Sequence, residues 1–229
     1  MIPLYDESFS VQKFPWVTLS LVGLNTLVFF LTFLSSDFES IIYQYGAIPE
    51  LILNRQNIIT FITALFLHGG ISHLLGNMWF LWIFGDNIEN NLGRVKFIFF
   101  YIAAGVVSLF FHAITTSFTD IPVIGASGAI SGVLGGYIIL FPKNRVRAFI
   151  ILGRPFLFFV PAFVYLGIWF TYQFLYSGVE TQVAYAAHIS GFLFGAIAAY
   201  LLGRPEELEH YTVMDDGTTY KRSQSGWEQ

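Results

Sequence analysis

Apolar residues run along this chain in six long stretches, separated by shorter polar segments. They cover Val17–Leu34, Phe61–Phe84, Phe97–Phe118, Val123–Phe141, Phe156–Tyr176 and Val183–Leu202. Each is close to the ~20 residues that a helix needs to cross the hydrocarbon core of a bilayer. The pattern predicts six membrane-spanning helices. The fifth stretch is the least regular, because Pro155 and Pro161 interrupt it and another apolar run, Ala148–Leu152, lies just before it. Between the first two stretches, residues 35 to 60 mix acids with isolated apolar residues such as Ile41, Ile42, Leu51 and Ile52, and read as an irregular loop lying partly in the membrane interface. Residues 204–229 read as a polar, flexible tail with an isolated Trp227. The expected organisation is a membrane domain over 1–203 followed by that tail.

Composition agrees with this picture. The chain is 55% hydrophobic and 11% charged, less than half the ~25% charge usual for soluble domains. Lys and Arg then orient it. With the N-terminus in the cytoplasm, the inner segments carry Lys13, Arg94, Lys96, Lys143, Arg145, Arg147, Arg154, Arg204, Lys221 and Arg222, and the outer ones Arg55 alone. The expectation is an all-α, multi-pass protein of the cell (inner) membrane with both termini cytoplasmic. The first stretch is too long for a signal-peptide core and no small-residue cleavage site follows it, so it is expected to stay as a helix. With no cysteine there is neither disulfide nor thiolate chemistry. No tandem repeat or basic nucleic-acid patch is visible.

Polar groups inside such stretches are costly and gather where they have a job. The second stretch contains "HGGISHLLGNMWFLW", with His68, His73 and Asn77; the fourth opens with Ser127 and continues to Ser131; the sixth carries His188 in "AYAAHISGFLFGA". In the orientation above all three enter the membrane from outside. Ser127 then lies in the first turn of its helix and His188 roughly 8 Å down at 1.5 Å per residue. The three clusters share one outer layer.

Spacing supplies neighbours. Gly128, Gly132 and Gly136 form a stripe on the fourth stretch; Ala187, Gly191, Gly195 and Ala199 form one on the sixth. Such small-residue stripes let helix backbones approach closely. If the two face each other, Ser127 and His188 meet at hydrogen-bonding range. His73 and Asn77, four apart, share a helix face and can aim two donors at one point. Taken singly, Ser127 reads as packing in a glycine-rich helix and His188 as an interhelical hydrogen bond. Together, at one depth and on two close-packing stripes, they read as a serine nucleophile beside a histidine base with convergent donors, the constellation of acyl transfer. No carboxylate lies near His188, so the arrangement is a dyad. His68 and His73 are poorly spaced for chelation on a helix and have no acid or thiol beside them. No metal or cofactor is expected.

With these pieces in hand the sequence resembles the rhomboid intramembrane serine proteases. The likeness rests on "HGGISHLLGN", on "GASG" as a GxSG nucleophile motif, on "AHISGFLFG", and on "FGDNIENNLG" with Glu89 and Gly93, and it spans about residues 15 to 202. The resemblance implies a six-helix bundle with Ser127 as nucleophile and His188 as general base. It also implies an oxyanion hole made by His73, Asn77 and the Ser127 backbone N–H. Gly125 and Gly128 would shape the loop, His68 would support the oxyanion site, and the fifth span would be a movable gate admitting single-span membrane substrates from the lipid bilayer. Two positions depart from the family pattern. Ile59-Thr60 stands where many relatives have Trp-Arg in the first loop. Ser131 stands where some have a tyrosine stacked on the catalytic histidine, which leaves the ring of His188 to be held by other contacts. The rival readings are an inactive rhomboid-like protein that binds membrane clients and a small membrane transporter, although transporters usually place their sites near midplane between repeated halves. No nucleic-acid or metal partner is expected.

Overall fold

The structure is a computed structural model. It describes residues 1–7, 13–117, 119–152, 154–177 and 183–203, with the backbone alone for 151, 152, 154, 211–213, 219–223 and 226–228. Phe118, the expected end of the third stretch, and Arg204 lie outside the described residues, as does most of the tail.

The order is β1 (Ile2–Glu7), α1 (Trp16–Phe33), α2 (Phe38–Tyr45), α3 (Pro49–Leu53), α4 (Thr60–Thr63), a 3-10 turn (Ala64–Phe66), α5 (Ile71–Leu92), α6 (Arg94–Thr115), α7 (Ser127–Leu140), β2 (Arg145–Leu152), β3 (Arg154–Pro161), α8 (Ala162–Tyr176), α9 (Tyr185–Leu202) and β4 to β6 (Tyr211–Val213, Thr219–Ser223, Gly226–Glu228). Helix dominates. Among the described residues α1, α6 and α9 are long and apolar enough to cross a membrane, and α7 is a shorter apolar helix.

Several expectations need correction. The second apolar stretch is not one continuous helix from Phe61. After α4 and the 3-10 turn the chain breaks, and α5 starts only past Gly69 and Gly70, where Gly70 is extended (φ 176°) and Leu74 N–H opens the ladder on its carbonyl. Paired glycines carry the lowest helix propensity short of proline. Residues 35 to 60 are not irregular but contain α2 and α3. The fifth stretch is split: Phe156–Pro161 belongs to strand β3, and the helix begins at Ala162. An aromatic and β-branched run favours strand, and a residue before proline, here Val160, is kept out of the α region. Pro161 then starts α8, where its missing N–H costs nothing. The protein is therefore not all-α. β1, β2 and β3 form an antiparallel sheet in that order, and β4 to β6 a second one in the tail.

The helical core sits around α7. Adding a Cβ at Gly128 would strike Ser108 of α6; at Gly132, Ala104; at Gly136, Phe100. The falling α6 numbers make α6 antiparallel to α7. On the other side Gly191 abuts the Gly128 carbonyl and Gly195 the Gly132 carbonyl, while Gly136 faces Ala199, so α9 runs parallel to α7. The two glycine stripes face each other, with backbone on backbone. Gly135, outside the expected stripe, adds a further contact on the Phe192 carbonyl. α5 also runs parallel to α7, from His73 beside Gly125 to Phe84 edge-on to Tyr137 at 5.0 Å. The beginnings of α5, α7 and α9 thus share one end of the bundle.

The opposite end is tied by charge and by the first sheet. α1 has no side-chain cap of its own. Instead the Glu89 carboxylate of α5 accepts from the N–H groups of Val17 (3.0 Å) and Thr18 (2.8 Å) and from the Thr18 hydroxyl (2.9 Å). That satisfies donors every helix start leaves open and sets a negative charge at a helix N-terminus. β1 is anchored by Trp79 Nε1–H donating to the Pro3 carbonyl (2.6 Å) and by Asp6, whose Oδ2 accepts from the Tyr137 hydroxyl (2.5 Å) and the Asn87 amide (3.1 Å).

Candidate active site

The first residue of α7 is Ser127, so its N–H is one of the donors that a helix start leaves without an intrahelical acceptor. The chain enters this turn through Gly125 at φ +118°, a conformation that side chains other than hydrogen rarely adopt. The Gly125 N–H donates to the Ala64 carbonyl (2.9 Å), which fixes the loop to the segment before α5. A Cβ on Gly125 would lie 2.7 Å from His73 Nε2 and 3.8 Å from Asn77 Nδ2. Gly125 is therefore required twice, by its backbone angle and by two side chains that close over it.

His188 lies in the first turn of α9. Its Nε2 is 2.8 Å from Ser127 Oγ, and its Nδ1 is 2.8 Å from Gln173 Oε1 of α8. Backbone contact along the glycine stripes is what permits the first distance, since one methyl on Gly191 or Gly195 would force α7 and α9 apart. Ser127, His188 and His73 are each partly exposed.

His73 and Asn77 point into the same corner from α5. The Gly69 N–H donates to His73 Nδ1 at a long 3.5 Å. With Nδ1 accepting, the ring proton sits on Nε2, the nitrogen facing Gly125. Asn77 is buried, and its Nδ2 has no hydrogen-bond partner among the described residues. An amide donor buried without an acceptor is rare enough to require an explanation; here it sits beside a serine with a histidine acceptor. His68 lies ahead of α5, not on it. It is fully buried and packs edge-on against His73 with ring centroids 5.0 Å apart. Gly128 stands directly behind the serine, against Ser108 and Ala187.

Of the sequence-derived candidates, then, Ser127, His188, His73, Asn77, Gly125 and Gly128 converge, with His68 behind His73. Ser131 turns away: its hydroxyl donates to the Ser127 carbonyl (2.7 Å) and stays inside α7. The residue that sequence reasoning missed is Gln173. Its only signal was a lone amide in the aromatic run "FTYQFLY". Trp169, with its centroid 6.1 Å from the imidazole, and Tyr185, edge-on at 6.4 Å, complete the surroundings of His188. These side chains, with Gln173, surround the ring of His188.

Comparison with known proteins meets this site from outside. The family model of the Rhomboid domain matches residues 55–205, which contain every residue just named. The chain is 29% identical over 195 residues to "Rhomboid protease GluP" of Bacillus subtilis, covering 84% of this chain and 36% of that protein. It is 27% identical over 195 residues to "Rhomboid protein 1, mitochondrial" of Saccharomyces cerevisiae, covering 82% and 54%. It is 30% identical over 128 residues to human "Presenilin-associated rhomboid-like protein, mitochondrial", covering 55% and 33%. The chain thus spans between about a third and about a half of the length of these relatives. It belongs to the rhomboid family, and with its apolar helices it is an integral membrane protein.

Proposed function

We propose that this chain is an intramembrane serine endopeptidase that cleaves single-span membrane proteins near the outer face of the membrane through a Ser127–His188 dyad. The observation that carries the reading is the 2.8 Å contact between Ser127 Oγ and His188 Nε2, with a buried, unsatisfied Asn77 amide beside it. Ser127 Oγ attacks the scissile carbonyl while its proton passes to His188 Nε2. The carbonyl oxygen becomes an oxyanion stabilised by the Ser127 N–H, Asn77 Nδ2 and His73 Nε2–H. His188 then gives the proton to the leaving amine. Water, reaching the partly exposed site, hydrolyses the acyl-enzyme with His188 again as base. A helical peptide has its carbonyls engaged, so substrates with small or helix-breaking residues near the membrane boundary are favoured.

In this reading six segments cross the cell (inner) membrane, with α5 and α8 completing the set formed by α1, α6, α7 and α9. Both termini lie in the cytoplasm, supported by the ten-to-one division of Lys and Arg. A topology reporter inserted between Thr116 and Pro122 then reads as extracytoplasmic, and one at Lys143–Arg147 as cytoplasmic. The reverse pattern removes the outer-face mechanism.

The decisive experiment incubates the purified protein in liposomes with a panel of single-span substrates, comparing wild type with Ser127→Ala, alongside fluorophosphonate labelling. Cleavage and labelling that both depend on Ser127 support the reading. Undiminished cleavage by Ser127→Ala sinks it. A folded wild type that neither cleaves nor labels favours client binding without hydrolysis.

A further inference from the structure

Gln173 stands apart from the rest of its helix. Among the described residues of α8 only Ala162, Tyr165, Leu166 and Gln173 are buried, and Gln173, at 5% exposure, is the polar one among them that lies against the candidate site. A long amide does not bury itself on a mostly exposed, apolar helix without a partner. Both ends of this amide are used. Its Nε2 donates to the Trp169 carbonyl one turn earlier (3.5 Å), and its Oε1 faces His188 Nδ1 at 2.8 Å. The helix carbonyl takes the NH₂ group, so the atom turned to the imidazole is the acceptor oxygen. An acceptor at Nδ1 requires Nδ1 to carry the proton, which leaves the Nε2 lone pair directed at the Ser127 hydroxyl.

We propose that Gln173 is the positioning residue of this site: its carbonyl fixes the Nδ1–H tautomer and the ring plane of His188, and so makes catalysis depend on the seating of α8. The inference rests on the protease reading for its kinetic consequence, but the tautomer is a property of the protein alone. When Ser127 Oγ attacks and its proton moves to Nε2, the ring becomes an imidazolium, and the Gln173 oxygen goes on accepting the Nδ1–H throughout. No proton passes to the amide. A neutral carbonyl thus takes the orienting place that a carboxylate holds in serine triads, without bringing a second charge into an apolar helix packing. Trp169 and Tyr185 confine the ring but offer Nδ1 no acceptor at these distances. The bond to Gln173 Oε1 is therefore the only orienting hydrogen bond of Nδ1 among the described residues. Because the acceptor rides on α8 and the nucleophile on α7, any outward displacement of α8 by an ångström or two breaks the bond and frees the ring to flip. The site is assembled only while α8 is home.

Two variants and two readouts test this. Gln173→Met keeps length and burial but removes the acceptor; Gln173→Glu keeps an acceptor oxygen. Gln173→Met is expected to lower kcat by roughly a hundredfold, the scale of misplacing a catalytic group by about 1 Å, with KM within about twofold of wild type if binding is untouched. Gln173→Glu is expected to recover most of that loss and to move the acid limb of the kcat/KM profile to higher pH, a change that mere repacking would not produce. The second readout needs no substrate. In protein with ¹⁵N-labelled histidine, the His188 resonances, assigned by difference against His188→Asn, should report a protonated Nδ1 and a bare Nε2 in wild type, and a tautomer mixture in Gln173→Met. Wild-type turnover in Gln173→Met, or an unchanged tautomer, overturns the role. If Gln173→Met fails to fold, Gln173→Glu decides: an unmoved acid limb together with an unchanged Nδ1 resonance overturns it equally. If the wild type proves inactive while the tautomer still responds to Gln173→Met, the protease reading falls and the positioning role stands.

Discussion

The seam between α7 and α9 and the packing of α8 are built on opposite principles. Along the seam, glycines bring main chain against main chain: Gly195 lies on the Gly132 carbonyl, Gly191 on the Gly128 carbonyl and Gly135 on the Phe192 carbonyl. Such contacts leave no side chain to yield. α8 instead exposes Phe163, Ile168, Tyr172, Phe174 and Leu175, and a Cβ on its own Gly167 would meet nothing within 4 Å. In the proposed mechanism the nucleophile Ser127 and the base His188 sit on the seam, whereas Gln173, proposed to orient the base, sits on the mostly exposed helix. On the proposed mechanism, the difference teaches that proximity and alignment are set separately: the seam brings Ser127 to His188, and α8 supplies the acceptor that orients the ring.

The comparison breaks hardest at the seam. Ser127→Ala and His188→Ala should each take cleavage below detection without changing the folded state, because nucleophile and base act as one unit and losing either costs about what losing both does. Measuring residual turnover with a purified, folded variant checks this. Next in size, Gly195→Leu drives a branched side chain into the Gly132 backbone. Activity should vanish and the thermal midpoint should fall with it; a stable, active Gly195→Leu would mean that the seam is not what the geometry describes.

Asn77→Ala separates donors from reacting groups. Losing one oxyanion donor costs ~10² to 10³ in turnover, so the variant should be slow but measurable, with the change in kcat and not in KM. Fluorophosphonate labelling of Ser127 should persist at a reduced rate. Full turnover by Asn77→Ala would return its unpaired amide to the status of a packing residue.

Smaller effects are expected away from the site. Burial pushes the Asp6 carboxyl above the ordinary carboxylate value, against the lowering effect of its hydrogen bonds from Tyr137 and Asn87. The folded state then favours the neutral acid. Its stabilising contribution is complete below the unfolded value of 3.8 and is lost as pH rises through the higher folded one. Thermal midpoints should accordingly decline across that window in wild type and decline less in Asp6→Asn, which stays neutral. The gentlest test is Gly167→Ala on α8. With open space around its Cβ, it should be tolerated, gaining up to about 1 kcal/mol of helix propensity, where alanine at Gly195 should destabilise.

Much of the site was legible because its residues obey long-range rules that leave local traces. Gly128, Gly132, Gly191 and Gly195 announce close helices by their four-residue spacing, and the positions of Ser127, His188, His73 and Asn77 along their stretches give a common depth. Gln173 left no such trace. A single amide among Phe174, Tyr172 and Tyr176 has no period, and only the antiparallel docking of α8 on α9 brings it to His188. The sheet was missed for a related reason. Length and hydropathy alone cannot tell an apolar strand from a helix segment in a run such as Phe156–Val160, and the first partner of β2, the strand β1, lies more than 130 residues earlier in the chain. Pro155 and Pro161 were the available warning, and they mark the start of β3 and its handover to α8.

The Glu89 cap on α1 also has a consequence in time. The Thr18 N–H finds its acceptor 71 residues further along the chain. At ~5–20 residues per second of synthesis, the first turn of α1 exists for roughly 4 to 14 seconds before its cap has been made. During that interval those N–H groups have only water and lipid headgroups to satisfy them, so the newborn helix is held at the interface at that end. Completion of α5 is thus the moment at which α1 stops being an independent insertion and becomes part of the assembled protein. A released chain truncated just before Glu89 should leave the start of α1 accessible to interfacial cross-linkers that no longer reach it once the chain extends through the end of α5.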